Sequence, residues 1–138
     1  MFKKKRKDEN LGQVIIPTNH PSPPVQHEVD AAFILARHYQ TVVEFLIPID
    51  DYMRKTADLK MLGVEWEIKC PTGTSRSTIS NQLRRASKQS MNIIIDTRHT
   101  KLRYNDIEKR VQFGMSSSSS IKKVILIDKS GKVVEFQK

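Results

Sequence analysis

The chain has 138 residues, of which 38% are hydrophobic and 28% charged, and its formal net charge is +9. This length suffices for one domain with its own core. No apolar run approaches a membrane span, and LGQVIIP is too short for a signal-peptide core. One cysteine cannot form an internal disulfide, and with four scattered histidines it gives no zinc-ligand spacing. We therefore expect a cytoplasmic protein without a membrane segment, whose cations attract polyanions such as nucleic acid.

The patterning predicts a basic, proline-containing arm over residues 1–24 and one domain over residues 25–138. Helical spacing predicts helices in VQHEVDAAFILARHY, in residues 77–90 and in YNDIEKRVQFG. Strands are predicted in TVVEFLIPI, in a hairpin within ADLKMLGVEWEIK, in NIIID, and in KKVILID and VVEF near the C-terminus. The serine run at 116–120 is expected to be a mobile linker. Interleaved helices and strands indicate an α/β sandwich.

The strand VEWEIK alternates apolar residues with three charged ones, Glu65, Glu67 and Lys69, and is followed at once by Cys70-Pro71. Because side chains alternate along a strand, Trp66 and Ile68 are expected to face the core. Glu67 and Lys69 then share the opposite face. The question is whether these two residues form an ordinary surface ion pair or part of a reactive centre.

Asp58 gives this strand a second carboxylate. If the hairpin pairs around Gly63, Asp58 comes close to Glu67, and two adjacent carboxylates repel unless one is protonated or a cation bridges them. Their oxygens and the main-chain carbonyl of Ile68 suit Mg²⁺ or Mn²⁺. Lys69 can orient or deprotonate an attacking water, or neutralise charge on a phosphorane. The set predicts metal-assisted phosphodiester hydrolysis.

The spacing alone leaves the simpler interpretation open, because Glu-x-Lys is common on amphipathic strands. Three observations favour the catalytic interpretation. Asp58 lies upstream at a suitable distance, the strand leads through a Gly-containing polar loop to a basic helix, and the net charge suits a polyanionic substrate.

The stretch ADLKMLGVEWEIK resembles the core motif of the PD-(D/E)XK nuclease superfamily. The longer stretch WEIKCPTGTSRSTISNQLRRASKQSMNIIID is similar to the tRNA nuclease domain at the C-terminus of contact-dependent growth inhibition toxins, the CdiA C-terminal domain. Related stand-alone proteins occur on mobile elements. The resemblance extends from about residue 27 to the C-terminal KKVILI and GKVVEF segments, and departs from the pattern at Ala57, where proline is usual.

This resemblance implies a restriction-endonuclease-like α/β fold, with a central mixed sheet flanked by helices. It implies an Mg²⁺-dependent (or Mn²⁺-dependent) nuclease that acts on RNA, and on tRNA in particular. A toxin of this type needs a neutralising partner in its own cell, and we expect an acidic immunity protein that covers the basic face.

The resemblance also assigns roles to individual residues. Asp58 and Glu67 match the metal-binding acids, and Lys69 matches the catalytic lysine. Glu28 matches an acid that assists metal binding, although an acid in a first helical turn is also favoured by the helix dipole. The polar positions on the helix after the motif are matched by Gln89 and Gln82, which can equally be ordinary boundary residues.

Basic residues around that helix are candidates for gripping the phosphates beside the scissile bond. They are Arg76, Arg84, Arg85 and Lys88, to which Gln82 adds a polar contact. A second basic patch is predicted at Arg98, His99, Lys101 and Arg103. Phosphate contacts give affinity without sequence choice, so composition does not separate RNA from DNA.

Three alternatives remain at the level of sequence. The first is a DNA endonuclease of the same superfamily, acting in repair or mobile-element processing. The second is a catalytically silent nucleic-acid-binding module, which the complete Asp58, Glu67 and Lys69 set disfavours. The third is a structural or regulatory protein of a mobile element, whose basic face binds an acidic partner.

Overall fold

The computed structural model describes residues 12–49, 56–73, 75 and 77–138. Seven strands and three helices are assigned within these ranges. The strands are β1 (Gln13–Ile15), β2 (Val42–Phe45), β3 (Leu59–Met61), β4 (Val64–Lys69), β5 (Asn92–Asp96), β6 (Lys123–Ile127) and β7 (Val133–Gln137). The helices are α1 (Gln26–Tyr39), α2 (Ser77–Ala86) and α3 (Tyr104–Ser117). None of these helices has both the length and the apolar character that a membrane crossing requires.

The strands form one mixed sheet in sequential order, from β1 to β7. Pairing is parallel for β1–β2, β4–β5 and β5–β6, and antiparallel for β2–β3, β3–β4 and β6–β7. A parallel pair needs a long crossover, and α1, α2 and α3 supply the three that this sheet requires. The predicted mixed sheet flanked by helices is therefore confirmed.

Alternating side chains divide the core into two layers, one on each face of the sheet. Trp66, Ile68 and Ile94 are buried with α1, whereas Ile93 and Ile95 are buried with α2 and α3. Burial of this apolar surface is the main stabilising contribution to such a sandwich. The predicted core stripe of the second helix is confirmed, since Ile79, Leu83 and Ala86 are all buried.

The hairpin between β3 and β4 has a two-residue turn, as the sequence suggests. Leu62 (φ 56°) and Gly63 (φ 78°) both adopt left-handed backbone conformations, the combination of a type I′ turn. This tight connection fixes which residues of the two strands lie side by side, with Leu59 opposite Trp66. The strand register therefore carries Asp58 to the neighbourhood of Glu67.

Three sequence predictions need correction. Part of the expected arm is a strand, because β1 pairs in parallel with β2 and Val14 packs against the α1 layer. The serine run is not wholly a linker, since Ser116 and Ser117 close α3 and the Ser118 backbone N–H donates to the Met115 carbonyl. The second helix ends at Ala86 rather than near residue 90.

Candidate active site

The candidate site is centred on the C-terminal residues of β4, from Glu67 to Lys69. Glu67 is paired with Ile93 and Lys69 with Ile95 in the parallel β4–β5 ladder, so both point to the α2/α3 face. Glu67 is only 2% exposed, whereas Lys69 is half-buried. The Lys69 Nζ lies 3.4 Å from Glu67 Oε2. The pair that the alternation predicted is present, but it is not a surface pair.

Asp58 is fastened to β4 on both sides of Glu67. Its backbone N–H donates to the Trp66 carbonyl at 3.1 Å, and its Oδ2 accepts from the Ile68 backbone N–H at 2.9 Å. The carboxylate thus takes the place of a main-chain partner just before β3 begins. This arrangement brings the two acids together, as the spacing predicted.

The surroundings of Glu67 disfavour the charged form of its carboxyl group. The pKa of Glu67 is raised to about 8, first by burial and next by the Asp58 carboxylate, while the Lys69 ammonium acts in the opposite direction. Within the described part of the chain, the buried Glu67 Oε1 has no hydrogen-bond partner. A buried polar oxygen without a partner is costly and typical of a site that awaits a ligand or a proton.

Glu28 lies in the first turn of α1. Its Oε1 accepts from the Val25 backbone N–H at 3.1 Å. It also lines a cavity with Asp58. Among the residues that the structure describes, no three His, Cys, Asp or Glu side chains come close enough to hold one metal ion. That Glu28 assists in metal binding therefore stays a prediction, and no cluster of three carboxylates among the described residues supports it.

The polar residues of the second helix are not gathered at one point. Gln82 is half-buried on α2. Gln89 lies beyond the helix and lines a cavity with Val64 and Asn92, the first residues of β4 and β5. That cavity is at the opposite end of the two strands from Lys69. The structure thus brings together Asp58, Glu67, Ile68 and Lys69, and leaves Gln89 apart from them.

The basic residues on and just after this helix are exposed. Arg84 donates to Asn81 Oδ1 and lines a cavity with Phe113 and Gly114 of α3. Arg85 and Lys88 are exposed. Arg76, the remaining predicted phosphate contact, lies outside the described residues.

Sequence reasoning missed a second carboxylate–cation cluster. Asp96 ends β5 and is fully buried, and Arg98 grips it through Nε–Oδ1 (2.9 Å) and Nη2–Oδ2 (2.7 Å). Arg98 Nη2 also donates to the His27 carbonyl at the start of α1. The prediction that Arg98 belongs to a second basic patch is therefore wrong, because its guanidinium is paired with a buried acid. The Asp-x-Arg spacing is the only signal that pointed to this pair.

Cys70 belongs to the same cluster. Burial raises the pKa of its thiol to about 12, with the Asp96 and Glu28 carboxylates contributing in the same direction. The thiol therefore stays protonated and contacts Asp96 Oδ2 at 3.7 Å. A thiol held in this state is not a nucleophile.

The fold and this geometry define an α/β domain with a carboxylate–lysine centre at the C-terminal end of β4, beside the start of the antiparallel strand β3. Residues 55–133, more than half of the chain, match the family described as the contact-dependent growth inhibition CdiA C-terminal domain, and the chain belongs to that family. Membership implies a toxic, nuclease-like activity in general terms. No curated protein matches the chain.

A solved structure supports the same conclusion for the fold. The CdiA-CT/CdiI toxin and immunity complex from Burkholderia pseudomallei contains a chain that is similar to this one, with a TM-score of 0.66 and 19% sequence identity. The match covers 92% of the present chain and 100% of the other. At this identity the likeness establishes a shared fold.

Proposed function

We propose that the chain is a metal-dependent nuclease of the PD-(D/E)XK type that hydrolyses phosphodiester bonds in RNA, with tRNA as its substrate. The observation that carries the proposal is the pairing of Asp58 with the buried Glu67, beside the Lys69 ammonium. Ordinary surface pairs do not bury a carboxylate or leave one of its oxygens without a partner.

The donor set fits a hard divalent cation. The Asp58 and Glu67 carboxylates and the Ile68 carbonyl are all oxygen donors, which Mg²⁺ and Mn²⁺ prefer. A cation between the two acids would relieve the repulsion that raises the Glu67 pKa. When bound, such an ion supplies positive charge that polarises a phosphoryl oxygen and makes a bound water more acidic.

The chain's own residues divide the remaining work. Asp58 is held rigidly by the Ile68 N–H, so its other oxygen is presented in a fixed direction. Lys69 carries its ammonium beside Glu67 while remaining partly exposed to a substrate. We assign Lys69 to orienting the attacking water and to neutralising the negative charge that develops on the phosphate.

The substrate class follows from charge and from the family. The excess of 24 Lys and Arg over 15 Asp and Glu favours a polyanion. Exposed Arg85 and Lys88 lie on and just after the helix that follows the site. The choice of RNA, and of tRNA, rests on the kinship with CdiA C-terminal domains.

A neutralising protein partner is the second part of this proposal. The similar structure from Burkholderia pseudomallei is a toxin and immunity complex. We infer an acidic immunity protein for the present chain, because a basic face is complementary to an acidic one. Co-expression of a small acidic protein that is encoded next to this chain should relieve growth inhibition. Harmless overexpression of the chain by itself would argue against a toxin role.

A cleavage assay tests the enzymatic proposal. Total tRNA and duplex DNA are incubated with the protein in Mg²⁺ and in excess EDTA. We expect tRNA cleavage that requires Mg²⁺ and is lost in Asp58→Ala, Glu67→Ala and Lys69→Ala. Glu65→Gln and Lys60→Ala are matched controls, since both residues are exposed on the same hairpin.

The alternatives give different patterns in the same assay. Cleavage of DNA with intact tRNA would identify the DNA endonuclease. Binding of both nucleic acids without cleavage in any divalent metal would identify the silent module. Full activity in EDTA would remove the metal mechanism.

A further inference from the structure

His20 lies in the segment between β1 and α1, distant in sequence from the acidic residues of the candidate site. Its ring is half-buried and contacts the end of β2, the strand that pairs with β3. We propose that His20 is a positioning residue, which keeps the Asp58 backbone turned toward β4 and the Asp58 carboxylate beside Glu67. The proposal rests on the metal-dependent nuclease function proposed above and adds a residue that supports its acidic centre.

The pairing of β2 with β3 becomes irregular at Leu46 and Asp58, which follow the Phe45–Leu59 pair. In a regular antiparallel ladder, two residues opposed in this way exchange both N–H···O bonds. The Leu46 N–H donates to the Asp58 carbonyl at 2.9 Å, but the Asp58 N–H donates to the Trp66 carbonyl of β4 at 3.1 Å. The Leu46 carbonyl therefore does not receive the hydrogen bond that regular pairing would give it.

The His20 imidazole supplies a hydrogen bond to that carbonyl. His20 Nδ1 accepts from the Ser22 backbone N–H at 3.1 Å, so the proton of the neutral ring is on Nε2. Nε2 lies 2.9 Å from the Leu46 carbonyl, to which it donates. A main-chain carbonyl without a partner is costly in a partly buried position, so this contact stabilises the irregular pairing.

The irregular pairing has a direct consequence for the acidic centre. Because the Asp58 N–H is directed to β4, the Asp58 carboxylate reaches the Ile68 N–H, which donates to Oδ2 at 2.9 Å. If the Asp58 N–H turned to the Leu46 carbonyl, its bond to Trp66 would break and the carboxylate would be drawn away from Ile68. By donating to the Leu46 carbonyl, His20 makes that alternative pairing less favourable.

Two amide substitutions separate the contact with Leu46 from the local contact with Ser22. Glutamine places its side-chain amide nitrogen near the position of Nε2, so His20→Gln keeps a donor for the Leu46 carbonyl. Asparagine places its side-chain oxygen near the position of Nδ1, so His20→Asn keeps an acceptor for the Ser22 N–H and loses the donor. A positioning role therefore predicts that glutamine replaces His20 and asparagine does not.

The experiment examines the full-length protein without turnover. Backbone amide shifts of ¹⁵N-labelled protein are recorded in EDTA, and the affinity for Mn²⁺ alone is measured by electron paramagnetic resonance. We expect His20→Asn to move the Ile68 amide proton upfield, because its hydrogen bond to Asp58 is weakened. The same variant should bind Mn²⁺ about tenfold more weakly, as changes that support metal ligands do. His20→Gln should retain the wild-type Ile68 shift and Mn²⁺ affinity.

Two further measurements distinguish positioning from a general effect on folding. His38→Asn is the matched control, since His38 is exposed in the last turn of α1, whereas Glu28 is in the first. This control should leave the Ile68 shift and the Mn²⁺ affinity unchanged. In cleavage assays, His20→Asn should raise the Mg²⁺ concentration for half-maximal rate about tenfold and leave the KM for tRNA within about twofold.

Several outcomes would overturn the proposal. Equal effects of His20→Asn and His20→Gln, or a larger effect of His20→Gln, would mean that the contact with Leu46 does not position Asp58. An unchanged Ile68 amide in His20→Asn would lead to the same conclusion.

Failure of the positioning role and failure of the nuclease are separable, because the amide shifts are measured without metal or RNA. If the wild type cleaves RNA but the Ile68 amide is insensitive to His20→Asn, the positioning role is wrong and the nuclease stands. If the Ile68 amide responds as expected but the wild type cleaves no RNA, the positioning of Asp58 stands and the catalytic proposal falls.

Discussion

Two carboxylate–cation clusters lie at the same ends of β4 and β5, which are neighbouring parallel strands. At the end of β5, Asp96 is fully buried, and both of its oxygens are gripped by Arg98. The Arg98 backbone N–H adds a third hydrogen bond to Asp96 at 3.1 Å. This is the geometry of a structural ion pair, in which every lone pair that faces the protein has a donor.

The cluster at the end of β4 also combines a buried carboxylate with a cation, but its acid is incompletely paired. Glu67 is almost as buried, yet it has one ammonium at 3.4 Å, a second carboxylate beside it and an oxygen without a partner in the described structure. The difference shows that burial of a charge does not by itself indicate function. The incompletely satisfied acid is the one that an additional cation would stabilise, and it is the acid that we propose as part of the reactive centre.

The comparison predicts that the two clusters fail in different ways when a partner is removed. Lys69→Ala should lower the rate of tRNA cleavage by about a thousandfold or more, because the charge that stabilises the transition state is lost. Its midpoint of thermal unfolding should remain close to that of Lys60→Ala, measured by circular dichroism. A comparable loss of activity in Lys60→Ala would show that the effect is not specific to the site.

Asp96→Ala should act on stability. It leaves Arg98, which also donates to the His27 carbonyl of α1, without its buried partner. We therefore expect a loss of about 3 kcal/mol in the free energy of unfolding. Urea unfolding followed by tryptophan fluorescence measures this, since Trp66 lies in the α1 core. If Asp96→Ala were as stable as the wild type but inactive, the structural assignment of this cluster would be wrong.

The raised pKa of Glu67 makes stability depend on pH. Below its ordinary pKa of 4.5 the side chain is protonated in both folded and unfolded chains, so its contribution is fully present. As the pH rises toward the folded pKa of about 8, the unfolded chain has released a proton that the folded chain retains. The free energy of unfolding should therefore fall, by at most about 1.4 kcal/mol per pH unit.

The matched experiment compares wild type with Glu67→Gln in EDTA between pH 5 and 8. The glutamine variant cannot ionise, so it should become increasingly more stable than wild type as the pH rises. Added Mg²⁺ should stabilise the wild type more at pH 8 than at pH 6 and have little effect on the variant. Parallel pH profiles for the two proteins would contradict the perturbed acid.

Much of this arrangement was accessible from the sequence, because local patterns determine it. Alternation along VEWEIK correctly separated Trp66 from Glu67, and Gly63 indicated the turn that brings Asp58 alongside. Helical spacing identified the buried stripe of α2. These features depend on neighbours within a few residues, where periodicity and turn chemistry are informative.

The features that the sequence did not reveal depend on distant partners. Three residues of β1 between a basic segment and several prolines carry no strand signal, and only pairing with β2 makes them a strand. Arg98 looked solvent-exposed because nothing local shows that Asp96 is buried between β4 and β6. Gln89 was placed on the helical stripe, but the helix ends three residues earlier and the side chain falls at the far end of β4.

The smallest predicted effect distinguishes two adjacent arginines on α2. Arg84 donates to Asn81 and lines the cavity toward α3, whereas Arg85 is exposed and does not line that cavity. We expect Arg85→Ala to weaken tRNA binding by roughly 1 kcal/mol and to reduce the salt slope of log Kd by about one. Arg84→Ala, the matched control with the same charge change, should have the smaller effect on both. Binding is measured with the inactive Lys69→Ala background at several salt concentrations. Equal effects of the two substitutions would mean that α2 contributes only its total charge, and the RNA path across this helix would then have to include the α3 side as well.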